Sequence, residues 1–253
     1  MRNLLFQISY DGTNYHGFQC QDGQITIQSE LERVLNILTS ENLRITGCGR
    51  TDAGVHAIRY YFNVKTESPI PCDRFVLAMN SLLPDDITVR SCREVPEDFH
   101  ARFSPKYKTY VYRILNKRNP EALRFRRSYF YPIMLDIKKM QDACEVIVGE
   151  KDFRCFMASG GQVKTTVRNV MELSVTPVDD EIEIRVSANG FLYNMVRIIV
   201  GTLIQIGIGK MTKEELGKII AEKNRTDAGM TVPPYGLYLY DVYYELDERT
   251  ESQ

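Results

Sequence analysis

The stretch Thr109-Tyr110-Val111-Tyr112-Arg113-Ile114-Leu115-Asn116, rich in β-branched and aromatic residues, reads as a strand. Its position decides the fold, because it follows a stretch bounded by Pro96 and Pro105 and restarts a pattern already run once. In the first run, residues 2–10 alternate, with Leu4, Phe6, Ile8 and Tyr10 on one side, which predicts a strand. A Gly- and polar-rich loop follows. Ile27, Leu31, Val34, Leu35 and Leu38 then recur at helical spacing, predicting a helix over 26–39. Strands at 44–46 and 56–64 flank a glycine-rich turn, a helix over 73–83 stops before Pro84, and a strand covers 87–94.

In the second run, a strand at 128–131 leads to a helix marked by Ile137, Met140, Cys144 and Ile147, ending near Gly149. Strands at 167–176 and 181–188 precede a strongly apolar helix over 194–206. Thr212 and Glu215 have capping-box spacing at the start of a short helix, and Pro233-Pro234 breaks the chain before a last strand over 237–245. Two successive mixed units predict an α+β fold of two similar domains, 1–103 and 104–253, with antiparallel or mixed sheets.

The chain's 253 residues suffice for one to two domains with a sizeable core. Apolar residues at 43% and charged residues at 26% are ordinary for a folded soluble protein. The most apolar stretch, 195–208, is interrupted by Arg197 and Gln205, so no clean membrane span is expected. The N-terminus has neither the long apolar stretch nor the cleavage site of a signal peptide. The six cysteines contain no Cys-x-x-Cys pair, which predicts reduced thiols in a cytoplasmic protein. With three unclustered histidines, no metal site is expected.

The net charge of −1 argues on its face against a nucleic-acid partner. The charge is unevenly spread. Residues 101–128 hold nine basic side chains, among them Arg102, Lys106, Lys108, Arg124, Arg126 and Arg127, against the single acid Glu121. The segment from Asp241 onward is acidic. Phe103, Tyr107, Tyr110, Tyr112 and Phe125 interleave with the cations, and such a pattern can stack bases and hold phosphates. It fits equally a strand with its aromatics in a core and its charges in water.

The densest chemical signal is Gly47-Cys48-Gly49-Arg50-Thr51-Asp52-Ala53-Gly54-Val55-His56. Its glycines permit a close approach by another molecule, and a loop between two strands is where reacting groups often sit. Asp52, ionised at neutral pH unless buried alone, can serve as nucleophile or base. It can equally form an Asx-turn with its own backbone. The pentapeptide Arg-Thr-Asp-Ala-Gly recurs at 225–229, but there it follows a charged helix and precedes an extended linker, which makes Asp227 a solvated or capping residue.

The Gly-x-Gly-Arg-Thr-Asp-Ala-Gly-Val-His run resembles the signature of tRNA pseudouridine synthases of the TruA type. Other stretches match that family's pattern in order: Tyr10-Asp11-Gly12-Thr13 with Gly17-Phe18-Gln19, Thr26 to Glu32, Lys108 to Tyr112, Asp152-Phe153, Arg168-Asn169-Val170, Asn194-Met195-Val196-Arg197 and Gly236-Leu237-Tyr238-Leu239. The resemblance runs from about Leu4 to Tyr244.

It implies the pseudouridine synthase fold, two similar domains flanking a positively charged cleft. It also implies an isomerase that turns uridine into pseudouridine without a cofactor, at positions 38, 39 and 40 of the tRNA anticodon arm. Asp52 would be the essential carboxylate, attacking the sugar or taking a sugar proton. Arg197 would be its ion-pair partner, a reading that a lone arginine in an apolar helix also favours. Tyr110 would pack against a flipped-out uracil, and Arg50 would contact RNA or hold the flipped site open. Lys106, Lys108, Arg124, Arg126 and Arg127 would meet phosphates, which position rather than specify. The family also implies a homodimer. Two other readings are a non-catalytic RNA-binding protein of the same fold and a hydrolase using Cys48 with His56.

Overall fold

A computed structural model of the chain describes residues 1–161 and 163–245. The eight residues of the acidic C-terminal segment beyond Glu245 lie outside them. The chain divides into two compact units, one made of Met1–Lys106 together with the chain from Leu239 onward, the other of Tyr107–Tyr238.

The first unit holds β1 (Arg2–Tyr10), α1 (Ile27–Thr39), β2 (Thr46–Gly47), β3 (His56–Thr66), α2 (Cys72–Asn80) and β4 (Ile87–Val95). Leu4, Phe6 and Ile8 are fully buried on the predicted side of β1, but Asn3 and Leu5 are buried as well, so the alternation holds only from Phe6 to Tyr10, the first half of the strand being covered on both faces. β1 lies between β3 and β4, antiparallel to both. Phe6 and Phe62 are register partners whose rings stack at 4.9 Å, and Phe75 of α2 meets Phe6 edge-on at 5.8 Å. These offset and T-shaped contacts tie α2 to the sheet.

α1 starts where its sequence predicts, with Ser29 in the place that Glu or Gln usually takes in a capping box. Ser29 N–H donates to Thr26 Oγ1 at 3.1 Å, and Thr26 N–H donates to Ser29 Oγ at 3.0 Å. α2 ends at Asn80, three residues short of the predicted end, and Ser81 to Leu83 form a turn instead.

The second unit holds β5 (Pro105–Leu115), β6 (Tyr129–Phe130), α3 (Ile137–Ile147), β7 (Gly149–Asp152), β8 (Val167–Val178), β9 (Glu181–Ala188), α4 (Met195–Gly207) and α5 (Lys213–Glu222). The last strand, β10 (Leu237–Tyr244), begins in this unit and continues into the first. β9 pairs antiparallel with β5 and β8, and β8 with β7, while β6 runs parallel to β5. The fold is therefore α+β, with five α-helices among the described residues and mostly antiparallel pairing.

α4 is apolar all round because it is buried nearly all round; only Arg197 and Gln205 are partly exposed. Gly201 lets the chain at Met230 press against it, since a Cβ there would lie 1.9 Å from the Met230 carbonyl oxygen. At α5 the capping box forms as its spacing predicts: Glu215 N–H donates to Thr212 Oγ1 at 3.2 Å, and Thr212 N–H donates to Glu215 Oε2 at 2.8 Å. No helix among the described residues is long and apolar enough to cross a membrane.

Candidate active site

The Asp52 loop connects β2 to β3 in the first unit and is clasped by the loop that follows β1. Phe18 N–H donates to Thr51 O at 3.2 Å, and Gly54 N–H to Tyr15 O at 3.4 Å. Within the loop, Val55 N–H donates to Asp52 O at 3.2 Å. Gly17 makes the close approach possible. Its φ is +84°, and a Cβ there would sit 2.4 Å from Thr51 O and 3.2 Å from the carbonyl carbon of Asp52.

Side chains brace the same loop. Tyr60 Oη donates to Gly49 O at 2.5 Å, and its ring stacks on Phe18 at 4.2 Å. The hydroxyls of Tyr10 and Thr51 lie 2.9 Å apart. Asp52 is half-buried and Arg50 exposed, so the loop presents a carboxylate beside a guanidinium on a backbone held from two directions.

A buried carboxylate steadies the approach to this loop. Glu32 of α1 is 5% exposed, yet Gln28 Nε2 donates to it at 2.8 Å, Ile45 N–H at 3.1 Å and Arg44 Nη1 at 2.6 Å. Three donors offset much of the cost of burying its charge. They fix the chain at 44–45 immediately before β2. Glu32 falls within a quoted family stretch and Gln28 lies one helical turn before it, but Arg44 and Ile45 lie a dozen residues or more away and nothing local in the sequence points to them.

The other predicted residues lie in the second unit, apart from Lys106. Arg197 is half-buried on α4; its Nε donates to Val232 O at 2.7 Å and its Nη1 to Asn194 Oδ1 at 2.8 Å. Those bonds fix the plane of the guanidinium. Tyr110 sits on β5 opposite Val186, half-buried, with its ring edge-on to Phe191 at 5.0 Å. Lys108 is half-buried on the same strand. Arg124, Arg126 and Arg127 are exposed together with Leu123 and Phe125, and Arg126 lies over the Phe125 ring at 5.5 Å.

Several cations of the basic segment already have carboxylate partners. Lys106 meets Glu245 at 2.7 Å, Arg113 meets Glu183 at 3.1 Å, Lys117 meets Glu121 at 2.6 Å, and Arg124 meets Glu181 at 3.5 Å. Glu245 holds the Lys106 ammonium above its ordinary value, chiefly by hydrogen bonding.

The remaining candidates separate clearly. None of the six cysteines is in a disulfide, and Cys48 is fully buried, out of reach of a substrate. His56 is buried, and its Nδ1 lies 2.9 Å from Asp11 Oδ1 and 3.1 Å from Gly12 N, so that nitrogen is engaged with the loop after β1. Asp227 is exposed and accepts from Asn224 Nδ2 at 2.6 Å, the solvated position expected of it. The glycine of its pentapeptide serves packing: Gly229 N–H donates to the buried Thr202 Oγ1 at 2.9 Å. Among the described residues, no group of three or more His, Cys, Asp or Glu side chains could hold a metal ion.

Comparison with known proteins matches the sequence of this chain to one family. A family profile described as tRNA pseudouridine synthase covers residues 7–104 and 143–245, spanning the Asp52 loop, Arg197 and the last strand. The chain belongs to the tRNA pseudouridine synthase family. It is 48% identical over 244 residues to a protein of Caldicellulosiruptor bescii named tRNA pseudouridine synthase A, across 96% of this chain and 100% of the relative. The protein of that name from Ruminiclostridium cellulolyticum is 48% identical over 245 residues, covering 96% of this chain and all of its own length. A Clostridium perfringens relative named tRNA pseudouridine synthase A 2 is 46% identical over 246 residues, with the same coverage.

Proposed function

We propose that this chain isomerises uridine to pseudouridine in tRNA, with Asp52 as the reacting carboxylate and the uridines at positions 38, 39 and 40 of the anticodon arm as targets. The observation that carries this reading is the Gly17 clasp, which holds the backbone of a carboxylate-bearing loop from outside while Asp52 stays half-buried. The reaction cuts the bond from uracil N1 to the sugar, turns the base, joins C5 to the same sugar carbon, releases the C5 proton to water and leaves N1 carrying a proton taken up in exchange. No redox step and no energy source are required. Both roles open to a carboxylate, attack on the sugar and removal of a sugar proton, start from the ionised form.

Arg197 is the cation of this scheme. A guanidinium already oriented by Val232 O and Asn194 suits a carboxylate partner. Tyr110, its ring oriented by Phe191, packs against the uracil once the base is flipped out. Arg50 contacts the RNA beside the target. Lys106, Lys108, Arg124, Arg126 and Arg127 meet phosphates, Lys106 and Arg124 by exchanging a carboxylate partner for a phosphate oxygen. In this reading the two units flank a positively charged cleft, and the enzyme works as a cytoplasmic homodimer.

The test is tritium release from tRNA labelled at uracil C5. Wild type should release it, Asp52→Asn and Arg197→Met should not, and Asp227→Asn should behave as wild type. Binding of tRNA without release by wild type would favour a non-catalytic RNA-binding protein instead.

A further inference from the structure

Beside the Asp52 loop, the first unit contains a cavity of about 310 Å³, bounded by Phe18, Gly47 and Arg50 on one side and by His100, Arg102 and Phe103 on the other. Its volume is at the lower end of the range for small-molecule sites. Phe103 is 74% exposed, an unusual state for a large aromatic ring on an ordered turn.

The turn is rigid. Phe103 N–H and Ser104 N–H both donate to His100 O, at 3.0 and 2.9 Å. Its inner edge is anchored in the core: Ala101 is fully buried, its N–H donates to Asn63 Oδ1 at 2.9 Å, and its carbonyl accepts from Tyr244 Oη at 2.7 Å. An exposed ring on a turn bound in this way is a preformed platform.

The surrounding groups have the chemistry of base recognition. The His100 ring lies 4.4 Å from that of Phe103, inclined by 33°. Arg102 N–H donates to His100 Nδ1 at 3.2 Å, which assigns the ring proton to Nε2 and makes the imidazole a donor on its other edge. The Arg102 guanidinium lies 5.6 Å from the Phe103 ring centre and has no carboxylate partner among the described residues. Gln19 at the rim is exposed and offers a carboxamide, which can both donate and accept. Arg50 links the rim to the Asp52 loop. Aromatic rings flanked by unpaired cations hold unstacked bases.

We infer that this cavity holds a second unpaired nucleobase of the substrate tRNA, adjacent to the target uridine, stacked on Phe103 with its phosphate on Arg102. The inference rests on the tRNA reading above and adds a subsite to it. Occupying it would hold the strand in its distorted path while the target uridine is turned out.

The test uses full-length enzyme and anticodon-arm RNAs carrying 2-aminopurine at one loop position at a time, together with tritium release from uracil-labelled tRNA. With wild type, a position neighbouring the target should be quenched on binding. Phe103→Leu, which keeps apolar bulk at an exposed site, should abolish that quenching and raise KM about tenfold, the scale of one lost base stack, with kcat little changed. Phe103→Tyr should restore both. If wild type releases tritium while Phe103→Leu matches it in KM and quenching, the subsite is refuted and the enzyme reading stands. If wild type releases no tritium, the enzyme reading fails, yet quenching that Phe103→Leu removes would still establish the base site.

Discussion

Asn63 donates its side-chain amide to Oδ1 of Asn3 at 2.8 Å, and both side chains are buried. The pair is a latch. Asn3 Nδ2 donates in turn to Pro96 O at 2.9 Å and Phe99 O at 3.0 Å, and Asn63 Oδ1 accepts from Ala101 N–H. Two amides on neighbouring strands thus hold three points of the chain leading from β4 to β5, where no secondary structure satisfies the backbone.

Asn63→Ala should destabilise the fold by about 2–4 kcal/mol, because it leaves Asn3 Oδ1 and Ala101 N–H buried without partners. Urea titration followed by circular dichroism measures this. A loss below about 0.5 kcal/mol would mean that the latch carries little.

Gly17→Ala should damage catalysis more than folding. The new Cβ would meet Thr51 O at 2.4 Å in a residue with φ of +84°, so the Asp52 loop must move. Displacement of a reacting group by about 1 Å can cost about a hundredfold in rate. We expect kcat for tritium release to fall at least tenfold while tRNA binding stays within about threefold of wild type. Unchanged kcat would show that the clasp does not place the carboxylate.

Arg126→Ala should weaken tRNA binding in low salt and reduce the slope of log K against log salt by about one, the signature of one lost phosphate contact. Binding measured over a salt series tests this. An unchanged slope would remove Arg126 from the phosphate contacts.

Asp152 supplies a pH test. Its carboxylate accepts from Thr166 Oγ1 at 2.5 Å and Arg154 N–H at 3.1 Å, and Lys223 Nζ lies 3.0 Å away. The Thr166 hydroxyl, more than any other partner, holds its carboxyl below the usual carboxylate range. A depressed value stabilises the fold above the unfolded value of about 3.9 and loses that stabilisation as pH falls through the folded value. Asp152→Asn should therefore lower Tm at pH 7, and the deficit should shrink in thermal melts taken progressively below pH 4. A deficit that persists unchanged to pH 2 would contradict the ionised role.

What could be read in advance follows from what is local. β1, α1 and the α5 cap declare themselves through alternation, helical spacing and capping residues a few positions apart. β7 does not: Gly149-Glu150-Lys151-Asp152 carries no alternation and becomes a strand only by pairing with residues 167–170 of β8. The burial of Glu32 depends on donors as distant as Ile45. The basic segment showed its charge in the sequence but not its neutralisation, since Arg113 finds Glu183 only through the register of β5 on β9. The Asp52 loop was legible because its glycines and its carboxylate are contiguous. The platform at Phe103 was not, because exposure of an aromatic ring is a property of the folded turn rather than of its neighbours in sequence.

The return of β10 to the first unit has a consequence for how the protein is made. That unit's sheet runs β4-β1-β3-β10, and β2 pairs β3 only at Phe62 and Asn63, so the rest of that edge of β3 stays open until the chain from Leu239 arrives. The whole of Tyr107–Tyr238 must be translated first, a delay of roughly 7–26 s at about 5–20 residues per second. Throughout that interval the half-finished unit leaves the ribosome with part of one edge of β3 unpaired beside the Asp52 loop. The exposure ends only when the last strand docks.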